Sequence, residues 1–91
     1  MIVSFRCSET EKVFRRENSR KFRNIQRVAF RRLIALDSAR RLSDPGGVGL
    51  SLKALKRDRK GRHSIRINDQ FRVCFEWSDG NAAHVEIVDY H

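Results

Sequence analysis

From Arg62 to Tyr90 the sequence reads in twos. The segments HSIRI, FRVCFEW and AHVEIVDY each alternate apolar and polar residues, the period of a strand with one covered face. Face matching fixes the first register. Phe71, Val73, Phe75 and Trp77 share one face. For Ile65 and Ile67 to oppose Val73 and Phe71, the loop must be the three residues Asn68, Asp69 and Gln70. A two-residue loop would set Arg66 opposite Phe71 and spoil both faces. Ser78 to Asn81 (SDGN) lies in the next turn, after which Ala83, Val85 and Ile87 continue the apolar face. The other face collects Arg62, Ser64 and Arg66, then Arg72, Cys74 and Glu76, then His84, Glu86, Val88 and Tyr90. We expect helices to cover the apolar face and nothing to cover the polar, ionisable one.

The covering helices are legible upstream. IVSF is a short apolar strand candidate. Ser8 to Glu11 (SETE) has the capping-box spacing, so a helix is expected from near Glu9, with Val13 and Phe14 inward. It should end at Glu17 to Ser19, where Asn and Ser compete for backbone hydrogen bonds. A longer helix is expected from about Phe22 to about Leu42. Phe22, Ile25, Ala29, Leu33 and Leu36 recur at three- and four-residue spacing and share a face, with Arg23, Arg27, Arg31 and Arg41 on the far side. Phe30 and Ile34 make a second apolar pair, read either as packing on the first helix or as part of a partner surface; we take the first. Ser43 to Ser51 (SDPGGVGLS) reads as a flexible connector. Its glycines do not make a phosphate cradle, since no strand precedes them and no Lys-Ser/Thr opens a helix after them. In the basic run from Leu52 to Arg62, Leu52 and Leu55 should face the core while Lys53, Lys56, Arg57, Arg59 and Lys60 reach solvent.

A length of 91 residues allows one small domain, residues 1–91. No apolar run approaches the ~20 residues of a membrane span, and the first residues turn acidic too early for a signal peptide. Cys7 and Cys74 read as reduced thiols of a cytosolic protein, with a single long-range bridge as the alternative. The net charge of +9 and pI near 10.8 suit a polyanionic partner, nucleic acid before a membrane surface. The cations are mostly arginine, which suits bidentate phosphate contact.

What chemistry could such a face perform? His63, His84 and His91 have no H-x-x-x-H spacing, and no Cys stands beside them in a ligand pattern. No G-x-S-x-G or similar nucleophile motif occurs. Acid–base chemistry on a substrate held by cations remains, and RNA suits it because its own 2′-OH is the nucleophile. The protein need only take a proton from that hydroxyl, return one to the leaving 5′ oxygen and stabilise the charge on phosphorus. An imidazole at His91, directly after a well-patterned strand and near Arg72 on the neighbouring one, is the natural proton carrier.

The stretch LKALKRDRKGRHSIRINDQFRVCFEW with the closing VEIVDYH resembles the HigB toxins, a branch of the RelE-like toxins of bacterial toxin–antitoxin systems. SFRCSETEKVF and RKFRNIQRVAFRRLIALDSA are similar to the same family, so the likeness covers nearly the whole chain. It implies a small single α+β RelE-like domain, with two N-terminal helices packed on one face of a small, mostly antiparallel sheet. It implies a cytoplasmic endoribonuclease that cuts messenger RNA on the translating ribosome by metal-independent acid–base catalysis, with no cofactor and no membrane association. It implies a helix-turn-helix antitoxin partner, HigA-like, through which alone operator DNA is engaged. Carried over by position, Lys56 and Arg72 hold the scissile phosphate, His91 and Asp89 handle protons, and Tyr90 orients or stacks. Lys53, Arg57, Lys60, Arg62 and Arg66 form a basic rim for RNA. This sequence departs from the family at Arg57, where Gly is common, at Lys53, where some members have His, and at Phe71, where Trp is common. The rival readings are a noncatalytic basic nucleic-acid-binding module and a subunit that only binds a DNA-binding partner.

Overall fold

The structure is a computed structural model that describes residues 1–41, 53–54 and 61–89. The connector Ser43–Ser51, the anchors Leu52 and Leu55, and the site candidates Lys56, Arg57, Lys60, Tyr90 and His91 lie outside the described residues. Of Lys53 only the backbone is described.

Two helices, α1 (Ser8–Phe14) and α2 (Gln26–Ser38), precede four strands: β1 (Lys53–Ala54), β2 (Arg62–Arg66), β3 (Phe71–Ser78) and β4 (Asn81–Asp89). The strands form one sheet in sequence order, antiparallel throughout. The expected first register holds: Ile65 is the partner of Val73, and the Ile67 N–H donates to the Phe71 carbonyl at 3.0 Å. Asn68 makes the turn. Its Oδ1 accepts from the N–H groups of Gln70 at 2.9 Å and Phe71 at 2.8 Å, a side chain standing in for a backbone turn.

The second register needs a correction. Pairing is regular from Phe71↔Asp89 to Cys74↔Glu86, then slips so that Glu76 meets Ala83. Two steps along β3 therefore match three along β4, which is a β-bulge. His84 lies there in the left-handed region at φ 52°, and its N–H donates to Ser4 Oγ at 2.8 Å. The extra residue reverses parity, so Ala82 rather than Ala83 is buried in the core. IVSF is also less than a strand. It contributes isolated parallel bridges, Ile2↔Ala82 and Phe5↔Val85, along β4.

The helix ends differ from the sequence expectation for local reasons. Cys7, in extended conformation, is the N-cap of α1 and no side chain caps it, so the capping box does not form. The helix stops at Phe14, because Arg16 adopts φ 61°. The Arg16 N–H then bonds to the Val13 carbonyl at 3.1 Å and the Glu17 N–H to the Lys12 carbonyl at 2.8 Å, which closes the end in a Schellman pattern. A 3-10 turn at Arg23–Ile25 precedes α2, which ends where Ala39 becomes extended, short of the expected Leu42.

Val13, Phe22, Ile25, Ala29, Leu33 and Leu36 share one hydrophobic core with Ile65, Ile67, Val73, Phe75, Val85 and Ile87. The rings of Phe22 and Phe71 meet edge to face at 6.1 Å. The second apolar pair divides: Phe30 packs against the core with the Arg16 guanidinium 4.8 Å above its ring, while Ile34 stays 40% exposed. Cys7 and Cys74 are free thiols, not a bridge.

Candidate active site

The expectation of an open polar face holds only in part: Arg66 and His84 are exposed, but the middle of the face is not. Arg62, Ser64, Arg72 and Cys74 are all buried, Arg72 to 8% exposure and Arg62 to 5%. Arg72 turns onto Ser64 within the sheet, and Arg62 lies beside Glu76 and Glu86.

Arg72 is the clearest case. It stands between two Cα partners, Arg66 on β2 and Val88 on β4. Like charges directly opposite repel, and the two guanidinium groups are drawn apart by different acceptors. Arg66, which is exposed, pairs with Asp69 in the turn. Arg72 leans the other way, its Nε–H donating to Ser64 Oγ at 2.8 Å and its Nη2–H to the Ser64 carbonyl at 3.3 Å. Both bonds are buried, which strengthens them and raises the cost of losing either.

Arg62, expected on the RNA rim, is engaged elsewhere. Its Nη1 lies 3.9 Å from Glu76 and its Nη2 3.5 Å from Glu86. Its guanidinium nitrogens are inaccessible and make no hydrogen bond. Glu76 also contacts His84, and Glu86 accepts from Arg6 at 3.3 Å. This charge cluster ties the N-terminal segment to β2, β3 and β4.

Asp89 lies on the other side of the sheet. Its Cα partner is Phe71, one position from Arg72, so alternation sends its side chain to the opposite face. There it accepts from Gln70 Nε2 at 3.0 Å and lines a cleft of about 550 Å³ with Cys7, Lys21, Phe22 and Phe71. The structure thus fixes Arg72 and locates Asp89, but does not bring them together. Among the described residues no group of three His, Cys, Asp or Glu side chains converges as metal ligands would.

Sequence reasoning missed two partners, Ser64 and Gln70. The signal for Ser64 was present. Once the three-residue loop sets Ile65 opposite Val73, Ser64 lies opposite Cys74 and diagonal to Arg72, within reach of a long side chain. Gln70 carried no such signal, because its reach to Asp89 depends on the conformation of the turn.

Comparison with known proteins fits this architecture. Toxin HigB-1 of Vibrio cholerae serotype O1 is 40% identical over 63 residues, which cover 65% of this chain. The match spans 63% of that relative's length. A family model described as the RelE-like toxin of type II toxin–antitoxin system HigB matches residues 3–91. With a match over that span, the chain belongs to the HigB-like family of RelE-like toxins.

Proposed function

We propose that this chain is the toxin of a type II toxin–antitoxin pair and cuts messenger RNA on the translating ribosome, in the cytoplasm. The observation that carries the reading is the Arg72 guanidinium. It is locked by Ser64 one row from the strand that leads to Asp89, Tyr90 and His91. A cation with a fixed orientation, on the strand next to the one whose sequence runs on into Tyr90 and His91, suits attack of a 2′-OH on its own phosphate. In this reading Arg72 and Lys56 hold the phosphate, His91 moves the proton and Tyr90 orients the ribose or base. No cofactor takes part. The opposite-face position of Asp89 supports a holding role, through Gln70, for the segment that carries Tyr90 and His91. Arg66 and the run with Lys53, Arg57 and Lys60 supply the outer cations for RNA, a salt-sensitive contribution. Both helices lie against the Val73–Ile87 face of the sheet, an arrangement supported by the shared core. The natural inhibitor is a helix-turn-helix antitoxin, HigA-like, that also carries the pair to operator DNA.

The test is to induce the chain and a version lacking only His91 from a tight promoter, at matched abundance, and to map new RNA 5′ ends within minutes. Cuts phased with the reading frame, made by the first and not by the second, support the reading. If neither form cuts RNA, the basic surface is a binding surface and the proposal fails.

A further inference from the structure

We propose that Ser64 is a positioning residue that aims Arg72 at the scissile phosphate, an inference that rests on the phosphate-holding role of Arg72 given above. Ser64 is fully buried. It occupies the middle of a row across three strands, with Lys53 as its partner on β1 and Cys74 on β3. Among the described residues Ser64 offers two acceptors to this side chain: the hydroxyl for Nε–H at 2.8 Å and the carbonyl for Nη2–H at 3.3 Å. Bonds to two nitrogens of one planar group fix both the plane and the rotation of the guanidinium, which an arginine side chain otherwise samples freely.

The hydroxyl is what the site needs. If Ser64 served only as a small residue between Lys53 and Cys74, alanine would do as well. Alanine keeps the backbone carbonyl and the volume but removes the Nε–H acceptor. Arg66 opposite Arg72 supplies the push that the Ser64 hydroxyl counters, so its loss should let the guanidinium swing. Ser64 also pairs with Lys53, the first cation of the basic run. One serine therefore joins the strand bearing Arg72 to the segment that leads to Lys56.

The experiment compares wild type, Ser64→Ala, Ser64→Thr and Arg72→Gln in single-turnover cleavage of ribosome-bound message. Thermal melting and solvent exchange of the Arg72 Nε–H by nitrogen-15 NMR are measured alongside. Ser64→Ala is expected to fold, to speed that exchange and to slow the cleavage step roughly tenfold to a hundredfold with ribosome affinity unchanged. Ser64→Thr, which keeps the hydroxyl, restores most of the rate. Should Ser64→Ala fail to fold, Ser64→Cys, near in size but a weak acceptor, replaces it with the same expectation. Faster exchange with an unchanged cleavage rate overturns the proposal and leaves the role of Arg72 intact. Slower cleavage with unchanged exchange also overturns it, since Ser64 then acts by another route. If Arg72→Gln, which removes the charge, cleaves as well as wild type, it is the reading of Arg72 as phosphate holder that fails.

Discussion

Arg72 and Asp89 leave neighbouring strands on opposite faces of the sheet, because Arg72 is the partner of Val88 and Asp89 the partner of Phe71. A carboxylate so placed is poorly sited to exchange protons at a phosphate held by Arg72. It is well sited to tie β4 to the turn through Gln70.

That geometry separates two substitutions at Asp89. Asn keeps an oxygen that accepts from Gln70 but cannot carry a proton, while Ala removes both capacities. Asp89→Asn is therefore expected to hold cleavage within a few-fold of wild type, roughly 1 kcal/mol or less in barrier, and Asp89→Ala to lose clearly more. Rates from purified ribosomes programmed with a defined message decide it. Equal, severe losses in both variants would return Asp89 to proton transfer.

Arg66 and Arg72 should differ although they are direct partners. Arg72 is buried on Ser64, and its replacement by Ala leaves a buried acceptor unpaired, at a cost of about 1–3 kcal/mol. Arg66 is exposed, and its carbonyl, which accepts from Arg32 Nε at 3.0 Å, survives substitution. Arg66→Ala should stay within about 0.5 kcal/mol of wild type. Urea denaturation of both variants checks the contrast, and a destabilised Arg66→Ala or an unaffected Arg72→Ala would contradict it. Strand alternation set Arg72 on a face expected to be uncovered; the burial of its guanidinium is what makes the replacement costly.

The strand pattern was the most legible part of this molecule. Period two and one loop-length argument gave the pairing of Ile65 with Val73, because a one-residue error there would expose every apolar side chain. The bulge at His84 was not legible. Nothing in the residue type announces a positive φ, which is stabilised here by Ser4, 80 positions away. The same limit applied to the polar face. Alternation says which side a residue faces, but not whether its end group turns outward or back. Arg62 and Arg72 turn back, onto Glu76, Glu86 and Ser64. Local chemistry also outweighed propensity at α1, where a left-handed Arg16 ends the helix before the Asn and Ser expected to do so.

Thr10 joins α1 to the strand that carries Asp89. It is buried, and its Oγ1 accepts from the Ile87 N–H at 2.9 Å. Thr10→Val preserves shape but leaves that N–H without its acceptor. A loss of about 1–3 kcal/mol in unfolding free energy is expected. Hydrogen exchange at Ile87 should also rise by more than global destabilisation explains. Unchanged protection at Ile87 would mean that the contact contributes nothing.

The last prediction concerns pH and the link between α1 and the loop before α2. Glu9 is held below the ordinary carboxylate value of 4.5, first by its hydrogen bond with Lys12 and then by that from Ser19. The Ser19 hydroxyl donates to Glu9 at 2.9 Å and accepts from the Phe22 N–H at 3.3 Å. The ionised carboxylate thus braces the residue that leads Phe22 into the core. A folded-state value below the unfolded one means that this stabilisation is complete above 4.5 and is lost as pH falls through the lowered value. Glu9→Gln removes the charge at every pH. The difference in melting temperature between wild type and Glu9→Gln should therefore be present at neutral pH, stay level down to the ordinary carboxylate value and close in acid. Because the Lys12 pair is partly exposed, added salt should narrow the neutral-pH difference as well. A gap that widens on acidification would reverse the sign of the linkage and remove Glu9 from this role.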